Sequence, residues 1–460
     1  MYLKTIYKFF LVAVAALALL GVERASAQGG AAITAYSPYT MFGIGELQTI
    51  GTAQSRAMAG VGVAWRSTHV PSMANPAGYS ATLQKSFLFS VGAEGNFLQN
   101  TQKKYDASGN YIGMAKNGKN SANIHDIAVQ FPLAKRLGMG VSLMPYSSVG
   151  YKMSFLDQRD EIAGNVGTAS YLYSGEGDVT EVKLGVGWEP FKNFSIGMAA
   201  KYYWGKITHN YTSAVDNNFV GQNTYHSVVS EDEYAISNFK FQVGLQWNAL
   251  ATDKHLLTFG ATYDYGGSLS PKVTKTSLLN NVYETEVFRE STTSQMRLPH
   301  SVKAGAMYQS PKIMAAVEYE FQAWGSGNRG FQEGINNNMK VQYVDTHTAK
   351  VGVSYTPNRF DVRNYLKRIS YRAGFRYGNY YQAYNGVSIP QYAVTAGLSF
   401  PFKFMGTSSV DLSFEYGLRG SHALMNNAPK IGMIRQDYFK LGLGFILFGE
   451  DYWFVRPKYD

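Results

Sequence analysis

The sequence predicts an all-β protein, a 14-stranded antiparallel transmembrane β-barrel with an N-terminal hatch (plug) segment in its lumen. Three observations predict it. Long stretches alternate large apolar residues with small or charged ones. The connections between those stretches sort into a short and a long class. After the first 27 residues, no segment reaches the ~18 consecutive apolar residues of a spanning helix, although 45% of the chain is apolar. An alternating wall hides its membrane face from averaged hydropathy, so such a chain reads as mildly polar.

The first element is a leader. Met1–Ala27 carries Lys4 and Lys8, then the apolar run Phe9–Val22, then Ala25-Ser26-Ala27 before Gln28. That order marks a secretory signal with a small-x-small cleavage site. The run is too short for the ~20 residues needed to span a bilayer. Residues 1–27 are therefore expected to be a signal peptide, and the mature chain to leave the cytoplasm.

Residues 28–85 form the second element. They show no period-2 run and are punctuated by Gly43, Gly45, Gly51, Gly60 and Gly62. Thr52 can cap a short helix over 52–58. Asn75-Pro76 reads as an N-cap followed by proline at the first helical position, where its missing N–H costs nothing. So little apolar material cannot fold alone and needs an enclosure. We expect it to be the hatch.

Residues 86–449 are the expected wall. Phe87, Phe89, Val91 and Ala93 alternate with Leu88, Ser90, Gly92 and Glu94; Phe239, Phe241, Val243, Leu245 and Trp247 alternate with Lys240, Gln242, Gly244 and Gln246. The same pattern recurs over 182–188, 410–419 and 439–447. One face is large and apolar and the other small or charged, the lipid-out, polar-in dyad of a membrane barrel. Strands are expected near 86–98, 122–132, 137–147, 178–189, 193–208, 232–248, 255–266, 293–308, 312–323, 341–356, 368–380, 390–401, 408–420 and 436–448. Short connections include Pro190–Lys192 and Gln309–Pro311, with Pro357–Lys367 the longest of that class. Long ones include Gln99–Ser121, His209–Glu231, Gly267–Thr292 and Tyr381–Ile389. An even strand count with short turns at one end puts both chain ends on the periplasmic side. Residues 450–460 are expected to be a periplasmic tail.

Composition narrows the function. The chain has no Cys, 47 Gly, 34 Tyr and 27 Phe, and a formal charge of +10. Without Cys there is no disulfide framework, thiol nucleophile or thiolate metal site. The Lys and Arg are scattered rather than clustered, so attraction to anionic lipid headgroups accounts for them better than nucleic acid does. The eight His are dispersed without metal-ligand spacing, and no nucleophile elbow occurs. We expect no enzyme, cofactor or metal.

Several local patterns, in this order, resemble the FadL family of outer-membrane transporters of long-chain fatty acids and other hydrophobic compounds. They are Ser55-Arg56-Ala57, Asn75-Pro76-Ala77 and Met144-Pro145-Tyr146; then Leu298-Pro299 leading through Lys303-Ala304-Gly305 to Tyr308, and Trp324; then Tyr371-Arg372-Ala373-Gly374-Phe375. Two features depart from the family: Pro145-Tyr146-Ser147 replaces a usual Pro-Phe-Gly, and a tail follows the last strand.

The resemblance implies passive uptake through a monomeric, porin-like barrel in the outer membrane of a Gram-negative bacterium, among lipid and lipopolysaccharide. Arg56, Asn75, Pro76 and Ala77 are then hatch residues. Proline cannot donate to a strand ladder, so Pro145 and Tyr146 mark a kink in the third strand, where the resemblance implies a lateral exit. Candidate ligand-capture residues on the long loops are Phe219, Val220, Leu278, Leu279 and Val282. Glu318, Glu320, Arg372, Arg376, Asp411 and Glu415 are the candidate lumen charges, because unpaired charges in a dehydrated lumen are costly. Arg56 and Arg66 are expected to find carboxylates among them, unless the wall charges pair across strands instead. The alternative is a FadL-like barrel of the type IX protein secretion machinery, which binds exported proteins.

Overall fold

The computed structural model describes residues 37–105, 110–157, 168–216, 227–280, 285–328, 332–336, 339–403, 407–425 and 428–450. The expected leader, the tail from residue 451, and Phe219, Val220 and Val282 lie outside the described residues.

In chain order the strands are β1 (Glu46–Leu47), β2 (Ser86–Tyr105), β3 (Tyr111–Ala134), β4 (Leu137–Asp157), β5 (Thr168–Phe191), β6 (Phe194–Asp216), β7 (Ser227–Ala251), β8 (Leu256–Asp264), β9 (Gly267–Ser268), β10 (Lys272–Asn280), β11 (Thr285–Thr293), β12 (Arg297–Leu298), β13 (Ser301–Gln309), β14 (Ile313–Gln322), β15 (Gln332–Asn336), β16 (Met339–Tyr343), β17 (Thr346–Tyr355), β18 (Ser370–Tyr384), β19 (Val387–Lys403), β20 (Thr407–Arg419), β21 (Leu424–Met425), β22 (Ala428–Gly432) and β23 (Ile434–Glu450). Several wall strands are interrupted and carry two labels. Taken through, the described residues form a closed ring of fourteen antiparallel strands. The ring closes where β2 pairs with β23, from Ser86 opposite Glu450 to Gln102 opposite Ile434. No helix among them is long and apolar enough to cross a membrane.

The dyad sets the two faces. On β7, Phe239, Phe241, Val243, Leu245 and Trp247 are exposed, while Lys240, Gln242 and Gln246 between them are buried. A closed sheet can bury one face without a second layer only if something fills its inside. Trp188, Trp247, Tyr308 and Tyr355 belong to the exposed apolar face, where amphipathic rings suit a membrane boundary.

At one end the turns are tight. Arg136 and Asn193 take positive φ, 64° and 70°, between their strands. At the other end the strands outrun the expected ones. β3 and β5 carry the ladder well past the apolar stretch, into segments where alternation stops because water lies on both sides. The expected long connection Tyr381–Ile389 is instead a two-residue turn, Asn385-Gly386, with φ of 49° and 80°. Positive φ at both central residues suits the hairpin twist and favours this dipeptide. The expected loop over 267–292 is also largely ladder, because β10 pairs with both β7 and β11.

One stretch of the ring is not zipped. β3 pairs with β4 only from Ile127 opposite Leu143 to Ala134 opposite Leu137. Beyond that, 111–126 of β3 pairs with β2, and 144–157 of β4 pairs with β5. Among the described residues no ladder pair joins those two stretches. The β4–β5 register also slips between Pro145 and Ser147, leaving Tyr146 as an extra residue.

Candidate functional site

The N-terminal segment, residues 37–85, lies against the buried face of strands around the ring. Its first part runs along the edge of β4 that β3 leaves free. Ser37 N donates to Gly150 O at 2.8 Å. β1 pairs with that edge, Glu46 opposite Ser148 and Leu47 opposite Ser147, and Gln48 N donates to Tyr146 O at 2.9 Å. An exposed strand edge is a row of unmet donors and acceptors. Here this segment meets part of that row.

The next part is a single helical turn, Ala53–Arg56. Thr52 caps it by accepting from Ser55 N. Gln54 Nε2 donates to both oxygens of Asp411, at 3.0 and 3.1 Å, and its Oε1 accepts from Arg372 Nη2 at 2.9 Å. Arg56 is buried and pairs with Glu94. Thr395 Oγ1 clasps the turn's exit, donating to Ala57 O at 3.0 Å and accepting from Ala59 N at 2.9 Å. Glu318 Oε2 accepts from Gly62 N at 2.7 Å and Val63 N at 2.9 Å.

Asn75 then starts a 3-10 stretch, Pro76–Ala81, with its Oδ1 accepting from Ala77 N at 3.0 Å. Asn75 Nδ2 donates to Val63 O at 2.8 Å and to Leu245 O of β7 at 3.0 Å. One side chain thus caps a turn and ties it to the wall. Opposite, the wall is stripped of side chains. A Cβ at Gly187, Gly197 or Gly244 would collide with Pro76 O, Ala77 N or Asn75 Oδ1 respectively. Arg66 Nη2 pairs with Glu189 at 2.9 Å, and Lys183 Nζ donates to Met73 O at 2.8 Å.

Two layers lie above this floor. The lower is polar, around a chamber of about 170 Å³ lined by Glu46, Gln48, Lys201, Asp264, Lys303 and Arg376 among others. Most of its charges are paired: Lys201 with Asp264 at 2.6 Å, Lys303 with Glu320 at 2.9 Å, Lys350 with Glu318 at 2.9 Å and Glu320 at 2.8 Å, and Arg376 with Glu415 at 2.5 Å. Glu46 meets Arg419 at 2.8 Å and Lys440 at 3.9 Å. Burial alone would raise the Glu46 carboxyl, but those two cations outweigh it and hold the group at about 2. The upper layer is aromatic. Tyr39 and Phe42 of the segment pack against Tyr384, in a cluster that takes in Trp324 and reaches Val149 and Tyr151 of β4.

The sequence-derived candidates fall as follows. Arg56, Asn75, Pro76 and Ala77 are all buried. Arg56 and Arg66 take Glu94 and Glu189, not Glu318, Glu320, Asp411 or Glu415, because those four already face wall cations or donors of the segment. Arg372 binds Gln54 and Ser399, and Arg376 also donates to Thr49 Oγ1 at 2.9 Å. Pro145 and Tyr146 mark the β4 register slip. Leu278 and Leu279 are strand residues opposite Val229 and Val228, not loop residues. Sequence reasoning missed Glu46, Arg419, Lys183 and Glu189. Strand parity turned Glu94 and Lys183 inward but gave neither of them a partner. Among the described residues no group of three or more His, Asp or Glu is placed to hold a metal ion.

Solved structures share this architecture. A Pseudomonas aeruginosa FadL homologue matches with a TM-score of 0.59 at 13% identity, over 88% of this chain and 98% of its own. The Ralstonia pickettii toluene transporter TbuX gives 0.54 at 13%, over 87% and 98%. The Pseudomonas putida toluene transporter TodX gives 0.54 at 15%, over 88% and 99%. No curated protein matches the chain. With its apolar outer belt, this architecture is a β-barrel of FadL-like fold. A family model described as BamG matches residues 6–460, and the chain belongs to the BamG family. The resemblance to FadL thus holds for the fold, and the family is BamG.

Proposed function

We propose that the protein is an outer-membrane channel for passive uptake of hydrophobic small molecules, the class that includes long-chain fatty acids and aromatic hydrocarbons. In this reading it works as a single barrel. The described residues 37–85 belong to the hatch within the lumen, and the ligand leaves sideways between β3 and β4. The observation that carries the reading is the unzipped stretch beside Pro145, whose β4 edge is met by β1. A ligand captured at the outer end, near Leu278 and Leu279, would reach the aromatic layer. That layer adjoins β4 at Val149 and Tyr151. The charged chamber below opposes further descent of an apolar solute, because burying ion pairs against it would strip their water. Sideways exit avoids that barrier. Two barrels of similar fold bear the name of toluene transporters, which supports the ligand class.

The test uses the absence of native Cys. Leu47→Cys with Ser147→Cys places thiols at ladder partners, within the separation a disulfide bridges. Cells carrying the oxidised pair should lose uptake of labelled oleate and toluene and regain it on reduction. Equal uptake in both states, or uptake by the reduced protein no greater than that of cells lacking the gene, would overturn the proposal.

A further inference from the structure

The connection between β17 and β18, residues 356–369, is far longer than the other turns at its end of the barrel. It holds its shape by its own bonds. Asp361 Oδ1 accepts from Arg363 N at 2.9 Å and Asn364 N at 2.7 Å, Asn358 N donates to Lys367 O at 2.8 Å, and Asn364 caps the 3-10 turn Tyr365–Arg368. Yet this ordered loop displays large apolar side chains. Phe360 is 85% exposed, Val362 93% and Leu366 62%. Arg359, Arg363, Lys367 and Arg368 stand among them against the lone acid Asp361. Arg359 and Arg368 face the barrel mouth beside His69, which leaves Arg363 and Lys367 outside it.

Exposed apolar residues interleaved with cations suit a membrane interface, where the former enter the acyl boundary and the latter meet phosphates. The loop's position selects that occupant over a soluble one. Tyr355 and Tyr371, exposed on the lipid-facing side of β17 and β18, flank it. Tyr371 OH donates to Leu366 O at 3.2 Å and Tyr365 OH to Pro401 O at 3.1 Å. The loop is therefore continuous with the belt that already faces lipid.

We propose that residues 356–369 form an interfacial anchor. Phe360, Val362 and Leu366 enter the periplasmic leaflet of the outer membrane, and Arg363 and Lys367 bind the phosphates of anionic phospholipid. The anchor fixes the barrel's depth and rotation at one point of its rim.

The full chain in lipid nanodiscs tests this. Val362→Cys, at an exposed site in a chain without Cys, carries a nitroxide, and Asp253→Cys on the turn between β7 and β8 serves as the reference. In phosphatidylglycerol nanodiscs, dissolved oxygen should relax the label at 362 more than an aqueous nickel complex does, with the order reversed at 253. Arg363→Gln with Lys367→Gln should shift the label at 362 towards the aqueous value. Equal nickel accessibility at both sites would overturn the proposal. So would a label at 362 that is aqueous in nanodiscs but shielded in native outer-membrane vesicles, because a periplasmic protein would then cover the loop.

Discussion

The carboxylate of Glu46 stands 2.8 Å from the guanidinium of Arg419, and both side chains are buried. This pair fastens β1, the short strand on the free edge of β4, to β20, four strands away round the ring.

Acid should loosen β1. Glu46 is held at about 2 in the folded state against an ordinary value of 4.5. A depressed carboxyl contributes its full stability above the ordinary value and loses it as pH falls through the folded one. The contribution should therefore fade between about pH 4.5 and about 2. Protease susceptibility of the segment before residue 52 should rise over that window. In Glu46→Gln it should be high at neutral pH, since a buried cation left alone costs about 3–5 kcal/mol.

Glu94 should matter more than its partner Arg56. It pairs with Arg56 and also lies 3.5 Å from Lys440. Arg56→Ala leaves Glu94 one cation, whereas Glu94→Gln leaves buried Arg56 with no carboxylate and Lys440 with only the more distant Glu46 at 3.9 Å. Single-channel leak in planar bilayers should rise more for Glu94→Gln, and Arg56→Ala should raise it less. The reverse order would contradict the network.

Gly197→Val should unseat the 3-10 stretch. Its added carbons would strike the main chain of Pro76 and Ala77, which cannot swing aside as a side chain does. Overpacking of this kind costs about 1–3 kcal/mol. The barrel should still resist denaturation in detergent, while protease cleaves near Asn75. Gly95→Ala is the control, because a Cβ there meets nothing nearer than 3.9 Å.

Removing the β4 irregularity should close the lateral path. Pro145→Val combined with deletion of Tyr146 takes out both the ring and the extra residue at the register slip. Uptake of labelled oleate should fall towards that of cells lacking the gene, with the amount of folded barrel unchanged on gels. Unchanged uptake would place the exit elsewhere.

The fold class was legible because the dyad is a local signal. Phe239 to Trp247 declare their two faces within nine residues, whatever the rest of the chain does. The strand tips were less legible, because above the membrane both faces of β3 meet water and period 2 carries no information there. Tyr380–Tyr384 misled for the opposite reason. That stretch is buried on both faces and slips register between Asn379 and Ala383, so a strand looked like a loop despite its Asn385-Gly386 turn. Parity put Glu94 and Lys440 inside the ring, but which of several inward charges Arg56 meets depends on where one chain lies inside another. Residue spacing does not encode that.

Where Gly187, Gly197 and Gly244 thin the wall, the ring is moulded to a length of its own main chain. An empty ring would keep hollow channels at those glycines and a crowd of cations and carboxylates stripped of Gln54, Arg56 and the Gly62 and Val63 amides. Such a shell has no reason to close first and admit its filling later. Casting and mould are then expected to set together, with the front of the chain in place before the ring closes.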